Sequence, residues 1–171
     1  GGDPSALVTT PIPADGQFAP DTQWYTMAIG AQQLLFTDNV VDGYMPLTET
    51  DITGLDGQLW CIVGNETEGF RFYNKAAGTG MQLSAPQNPG NIGDKGGEAY
   101  VLLADPTQET SRTYEWQLSV SNNLNHASYY VNVKGKSNAK INNRNSRLAF
   151  WTGGADAGSS VTIKAFSPSI G

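Results

Sequence analysis

Twelve short runs rich in Val, Ile, Leu, Tyr, Phe and Trp constrain this chain more than any other feature; turn clusters such as Val41-Asp42-Gly43, Gly64-Asn65, Asn88-Pro89-Gly90 and Gly153-Gly154 separate them. Runs of this length are strands rather than helices, and no stretch sustains a 3.6-residue periodicity, so the chain reads as all-β. The runs fall into three groups of four. Opening runs lie at 24–29, 70–74 and 129–133, and second runs at 33–36, 81–83 and 139–142. Third runs follow at 44–48, 99–104 and 147–152, and closing runs at 58–63, 114–118 and 160–164. Aligning Tyr25, Phe70 and Tyr129 gives spacings of 45 and 59 residues, the difference being loop length.

A four-stranded unit cannot bury its apolar face alone, and three such units packed about an axis close a sheet without exposed edges. The expected architecture is therefore a β-trefoil of three four-stranded repeats, about 22–66, 67–123 and 124–166. A β-sandwich or jelly roll is the alternative, but it requires no threefold echo. Residues 1–21, with Pro4, Pro11, Pro13 and Pro20, read as a linker or extended arm, and 167–171 as a tail. Such ends are expected of a module within a longer chain, which makes neighbouring domains of a parent protein one class of partner.

Of 171 residues, 39% are apolar, 10% aromatic and 15% charged, a balance that supports one cored domain and excludes a disordered segment. No apolar run approaches the length of a membrane span, and no basic start leads into one, so neither membrane insertion nor a retained signal peptide is expected. A net charge of −6 argues against general phosphate-backbone binding, and nucleic acid is not an expected partner. Charge is unevenly spread. Up to Gly69 there are ten acidic residues and no Lys or Arg, whereas five of the ten bases are Lys134, Lys136, Lys140, Arg144 and Arg147. That cluster is able to attract an anionic ligand.

Catalytic frames are missing. Cys61 stands alone inside an apolar run and reads as an inert core thiol, and His126 sits in a polar turn without a serine elbow or HExxH spacing. The pairs Asp38 and Asp42, or Asp51 and Asp56, have the carboxylates a glycosidase needs, yet loop solvation accounts for them. No catalytic residue, metal or cofactor is assigned.

Gln58-Leu59-Trp60, closing the first unit, resembles the Gln-x-Trp signature of ricin-type lectin domains. Tyr114-Glu115-Trp116 keeps the Trp, and Ser159-Ser160-Val161 keeps neither residue. The stretch from Gly69 to Lys75, with Gly78 and Leu83 after it, is similar to the first two strands of that family. Over residues 22–166 the resemblance implies a β-trefoil whose motif Trp residues, here Trp60 and Trp116, are core. It also implies a glycan partner, shallow sites, and a glycan-active parent in an extracellular, cell-surface or periplasmic setting.

A family site takes a polar side chain after the second strand, a ring on the third and an Asn or Gln near the fourth. The ring lies on the apolar C–H face of the sugar while polar groups read its hydroxyls. In the first unit these positions fall on Phe36, on Leu47 or Thr48, and on Gly57, leaving Asp38, Asn39, Asp42 and Tyr44 as alternatives. The second unit has Ser84, an aliphatic Leu102, and Tyr100 two residues earlier. The third has Asn142, Asn143, Arg144 and Trp151, and is the leading candidate.

Strand alternation that turns Leu148 and Phe150 inward turns Ala149 and Trp151 outward. An outward Trp is either a ligand platform or covered by the arm or the loop 153–160. Lys140, Arg144 and Arg147 make a carboxylated or sulfated sugar the better electrostatic match. The competing reading of the whole chain is a structural or protein-docking trefoil that has lost sugar binding.

Overall fold

Strands form where aromatic and β-branched residues alternate between Gly- and Asn-rich turns. The computed structural model describes residues 3–49, 55–124, 128–152 and 155–167. Within them lie β1 (Tyr25–Ile29), β2 (Leu34–Leu35), β3 (Trp60–Asn65), β4 (Gly69–Asn74), β5 (Gln82–Ser84) and β6 (Leu102–Ala104). The chain continues through β7 (Trp116–Ser121), β8 (Ser128–Val133), β9 (Lys140–Asn143), β10 (Leu148–Trp151) and β11 (Val161–Ala165).

Six of these strands close on themselves. Antiparallel pairing runs β1 to β3, β4, β7, β8 and β11, and β11 returns to β1. Closure removes the sheet edges that two stacked sheets would keep, so the sandwich alternative is set aside. The remaining strands lie outside the barrel: β2 beside β1, and the hairpins β5–β6 and β9–β10. The run 44–48 contributes only isolated bridges, Val41 with Tyr44, Pro46 with Arg147 and Thr48 with Leu35. Pro46 has no N–H to give to a ladder, which accounts for the interruption.

One register recurs around the barrel. Tyr25 pairs with Trp60, Phe70 with Trp116, and Tyr129 with Val161. Next to these, Gly30 N donates to Ser160 O at 3.0 Å, Lys75 N to Leu59 O at 2.9 Å and Lys134 N to Glu115 O at 3.1 Å.

Trp60 and Trp116 are fully buried, and each indole N–H is satisfied, by Phe36 O at 3.2 Å and Leu83 O at 3.1 Å. A buried indole without such an acceptor would be costly, so these bonds fix the rings as much as the packing does. Phe72, Phe150, Ile62 and Leu148 complete the same core.

Residues of the arm are held against the barrel. Val8 N donates to the Tyr25 hydroxyl at 2.7 Å, Thr10 N to Ile62 O at 2.9 Å, and the buried Cys61 thiol to Thr10 O at 3.4 Å. Phe18 meets Trp24 edge-on at 4.8 Å between centroids. The arm thus covers the side of the barrel that carries Cys61.

Candidate functional site

The β9–β10 hairpin turns through Arg144-Asn145-Ser146-Arg147, closed by Arg144 N to Arg147 O at 2.9 Å and Arg147 N to Arg144 O at 3.2 Å. Asn145 and Ser146 have φ of 57° and 62°, the signature of a two-residue type I′ turn whose twist matches the flanking strands. Lys140 pairs with Trp151, and Asn142 with Ala149.

Residues 147, 149 and 151 share one face of β10. Leu148 and Phe150 are buried on the other, and Trp151 is half-buried. The Arg144 guanidinium carbon lies 4.7 Å from the Trp151 ring centroid. Ala149 departs from the expected outward exposure: it is 0% exposed, because Tyr100, just before β6, bridges onto it. A cross-strand partner points to the same face, so Tyr100 stands beside Arg147 and Trp151.

Asn142 is buried, and its Nδ2 donates to Asp156 Oδ1 at 3.1 Å and to Ser159 Oγ at 2.8 Å. Asn143 is half-buried at the mouth of a surface groove of about 420 Å³ that it shares with Gly30, Gln32, Glu49 and Gly158. Its Oδ1 accepts from Ser146 N at 2.8 Å. The Lys140 ammonium donates to Ser137 O. Thr152 N donates to Asn91 Oδ1 at 3.0 Å, so the loop between β5 and β6 abuts the Trp151 end of the hairpin. The hairpin thus brings Arg144 onto Trp151, with the buried Asn142 on the same face, whereas Asn143, paired with Leu148, turns to the opposite face.

The weaker candidates divide. Tyr44 and Tyr100 come together, 5.9 Å between ring centroids, with the Arg147 guanidinium 5.8 Å from the first ring and 5.9 Å from the second. Asp38 packs against Gly57, Asn39 is exposed, and Asp42 occupies the Val41–Tyr44 turn with φ of 51°. None of these three joins the Trp151 face. His126, Asp51 and the glycines of 153–154 lie outside the described residues.

Sequence reasoning did not single out Asp156, Ser159 or Arg112. Arg112 Nε donates to Ser84 Oγ at 2.6 Å and its Nη2 to Tyr100 O at 3.2 Å, and burial lowers its pKa. The signal for Ser159 was its place in the residual Gln-x-Trp position, and for Arg112 nothing in the local sequence marks it. Ion pairs among the described residues are Arg71 with Glu115 and Lys75 with Asp56, so Arg112, Arg144 and Arg147 have no carboxylate partner there.

No protein-family model matches this chain, and no curated protein matches its sequence. Solved structures do match. A ricin B-like lectin of Macrolepiota procera, solved in complex with lactose, aligns at TM-score 0.63 and 11% identity over 85% of this chain and 97% of its own. An endo-β-galactosidase of Clostridium perfringens that releases GlcNAcα1-4Gal aligns at TM-score 0.63 and 11% identity over 91% of this chain. A mosquitocidal holotoxin aligns at TM-score 0.61 and 13% identity over 87% of this chain. This chain spans 35% of the endo-β-galactosidase and 18% of the holotoxin. At such identity the likeness fixes the fold alone, and that fold is the β-trefoil.

Proposed function

We propose that this domain is a non-catalytic, lectin-like carbohydrate-binding module, with its glycan seated on Trp151 and read by Arg144. The observation that carries this reading is a half-buried indole paired with a guanidinium that no carboxylate neutralises among the described residues. The indole offers an apolar face to sugar C–H groups, and the guanidinium offers planar donors to hydroxyls, carboxylate or sulfate. Arg144 covers one side of the ring, so a sugar takes the other side or the ring edge alongside it. An acidic glycan is the better match, because Lys140, Arg144 and Arg147 share this hairpin.

The recurring pairs Tyr25 with Trp60, Phe70 with Trp116 and Tyr129 with Val161 support three related units over 22–66, 67–123 and 124–166. In that relation Leu35 with Thr48, Gln82 with Ala104 and Lys140 with Trp151 occupy one position, so only the third unit has a ring there. A single shallow site is weak, and a module attached to a glycan-active parent gains from avidity. Such a parent would work outside the cell, at its surface or in the periplasm.

A second reading, a structural or protein-docking trefoil, is favoured by one observation. The amide of Asn142, the residue in the family's polar position, is spent on Asp156 and Ser159. A glycan array followed by calorimetry separates the two. Binding in the millimolar range or tighter supports the module; silence toward every neutral and acidic glycan at millimolar concentration leaves the docking reading.

A further inference from the structure

At the apex of the fold the three third runs converge. Leu148 N donates to Met45 O at 2.9 Å and Val101 N to Leu148 O at 3.1 Å, with all three side chains buried. One residue before each of them in sequence stand Tyr44, Tyr100 and Arg147. Each comes from a different unit, and the three side chains meet on the outer face of the cap.

We infer that this Tyr44–Tyr100–Arg147 cluster is an oxyanion-binding subsite, at the turn end of the face that carries Trp151 and taking a carboxylate or sulfate group. The inference goes beyond the glycan reading and does not depend on it.

Donors outnumber acceptors at this point. Arg147 gives its Nε–H to Arg144 O at 3.1 Å and one Nη1–H to the Tyr100 hydroxyl at 3.2 Å. The other three of a guanidinium's five N–H bonds have no protein acceptor among the described residues. The Tyr100 hydroxyl accepts from Arg147 and still has its own proton to donate, and the Tyr44 hydroxyl has no protein partner among the described residues.

Positive charge is concentrated here, with Glu109 acting on Arg112 only from beyond ion-pair contact. Arg112 lies directly behind Tyr100, holding its carbonyl, and Arg144 sits across the turn, yet neither forms an ion pair among the described residues. The two rings orient the guanidinium by cation–π contact, which fixes its plane in advance of binding. A fixed planar fork flanked by two phenol donors matches an oxyanion, whose lone pairs accept several N–H and O–H bonds at once. Arg147, at the turn just before β10, and Trp151, at its far end, are four residues apart, about 13 Å at the usual rise, so an oxyanion held by Arg147 leaves the indole open.

The test is a titration of ¹⁵N- and ¹³C-labelled protein, read by NMR at the arginine Nε–H, tryptophan indole and tyrosine ring signals. Sodium sulfate, sodium glucuronate and galactose 6-sulfate are added at constant ionic strength balanced with sodium chloride, and lactose serves as the neutral probe. The expected result is a saturable shift of the Arg147 Nε–H and the Tyr100 ring with at least one of the charged probes and none with lactose. Response to glucuronate alone assigns a carboxylate, response to the sulfated probes assigns sulfate, and response to both assigns either oxyanion.

Arg147→Gln is expected to weaken the Tyr100-reported affinity tenfold or more. Arg147→Lys, which keeps the charge without the fork, and Tyr44→Phe, which keeps the ring without the hydroxyl, weaken it severalfold. Lys164→Gln, at the exposed end of β11, removes a charge elsewhere and leaves it unchanged. Linear, unsaturable shifts, or equal affinity in Arg147→Gln, Arg147→Lys and the unsubstituted chain, overturn the subsite. A Trp151 indole that ignores lactose, glucuronate and galactose 6-sulfate alike while Arg147 still responds to anions counts against the glycan reading alone.

Discussion

Arg144 lies over Trp151, its guanidinium carbon 4.7 Å from the ring centroid. Contact of this kind at an exposed site is worth about 0.5–1 kcal/mol, enough to bias the ring orientation but too little to explain by itself why an indole stays at the surface. A cation already stacked on the ring also places charge-assisted donors at its rim. The guanidinium therefore covers one face of the indole, and a ligand meets apolar ring and cation together where that face gives way to the ring edge.

Salt dependence follows from that edge. If the glycan carries a carboxylate or sulfate, affinity falls as sodium chloride rises from 50 to 500 mM, on the order of tenfold, because exposed charge pairs are screened within a Debye length. Arg144→Ala reduces this salt response and weakens binding at low salt. Calorimetry across a salt series measures both; a response that is flat in the unsubstituted chain assigns a neutral sugar.

The two indoles of the core behave differently from Trp151. Trp60→Ala is expected to cost roughly 3–5 kcal/mol through the cavity it leaves. Trp60→Phe restores most of the volume yet orphans the Phe36 carbonyl that accepts the indole N–H, with an expected cost of about 1–3 kcal/mol. Urea unfolding followed by far-ultraviolet circular dichroism gives both values. Equal stability of Trp60→Phe and the unsubstituted chain would remove the hydrogen bond from the account.

How legible the molecule was depends on which interactions decide each part. The barrel strands were readable because their apolar alternation and the Tyr25, Phe70 and Tyr129 alignment reflect pairing that recurs in the structure. The run 44–48 was read as a strand, yet Pro46 leaves only bridges, a tertiary outcome that propensity alone does not give. Alternation turned Trp151 and Ala149 outward alike; Trp151 is half-buried, whereas burial of Ala149 depends on Tyr100, which lies 49 positions earlier. The contact of Arg112 with Ser84 and Tyr100 and the meeting of Tyr44 with Tyr100 are likewise products of closure. No local pattern encodes them.

The turn Arg144-Asn145-Ser146-Arg147 has Ser146 at φ 62°, where a Cβ is unfavourable. Ser146→Gly creates the Asn-Gly pair that type I′ turns favour and is expected to stabilise the domain by about 0.5–1 kcal/mol. Gly43, at φ 80° with nothing within 4 Å of a built Cβ, tests the same effect in reverse. Gly43→Ser should destabilise by a similar amount, as read from thermal midpoints.

Burial pushes the Cys61 thiol from 9.0 up to about 11. A group whose pKa is higher in the folded state contributes stability below its unfolded pKa and loses it as pH rises through the folded one. The unfolded chain therefore releases its thiol proton first, and stability falls between about pH 9 and 11, by roughly 2–3 kcal/mol for this group. Cys61→Ala flattens that part of the curve in denaturant titrations at pH 8, 9, 10 and 11. Below pH 9 the native thiol should also react with a disulfide reagent only as fast as the chain unfolds.

The most direct measurement is calorimetric titration of the best glycan from an array into the unsubstituted domain and into Trp151→Ala, with thermal unfolding recorded for both. The account predicts a dissociation constant in the millimolar range or tighter for the first, no measurable heat for the second, and closely matched unfolding midpoints. Undiminished binding by Trp151→Ala, or collapse of its fold, would contradict it.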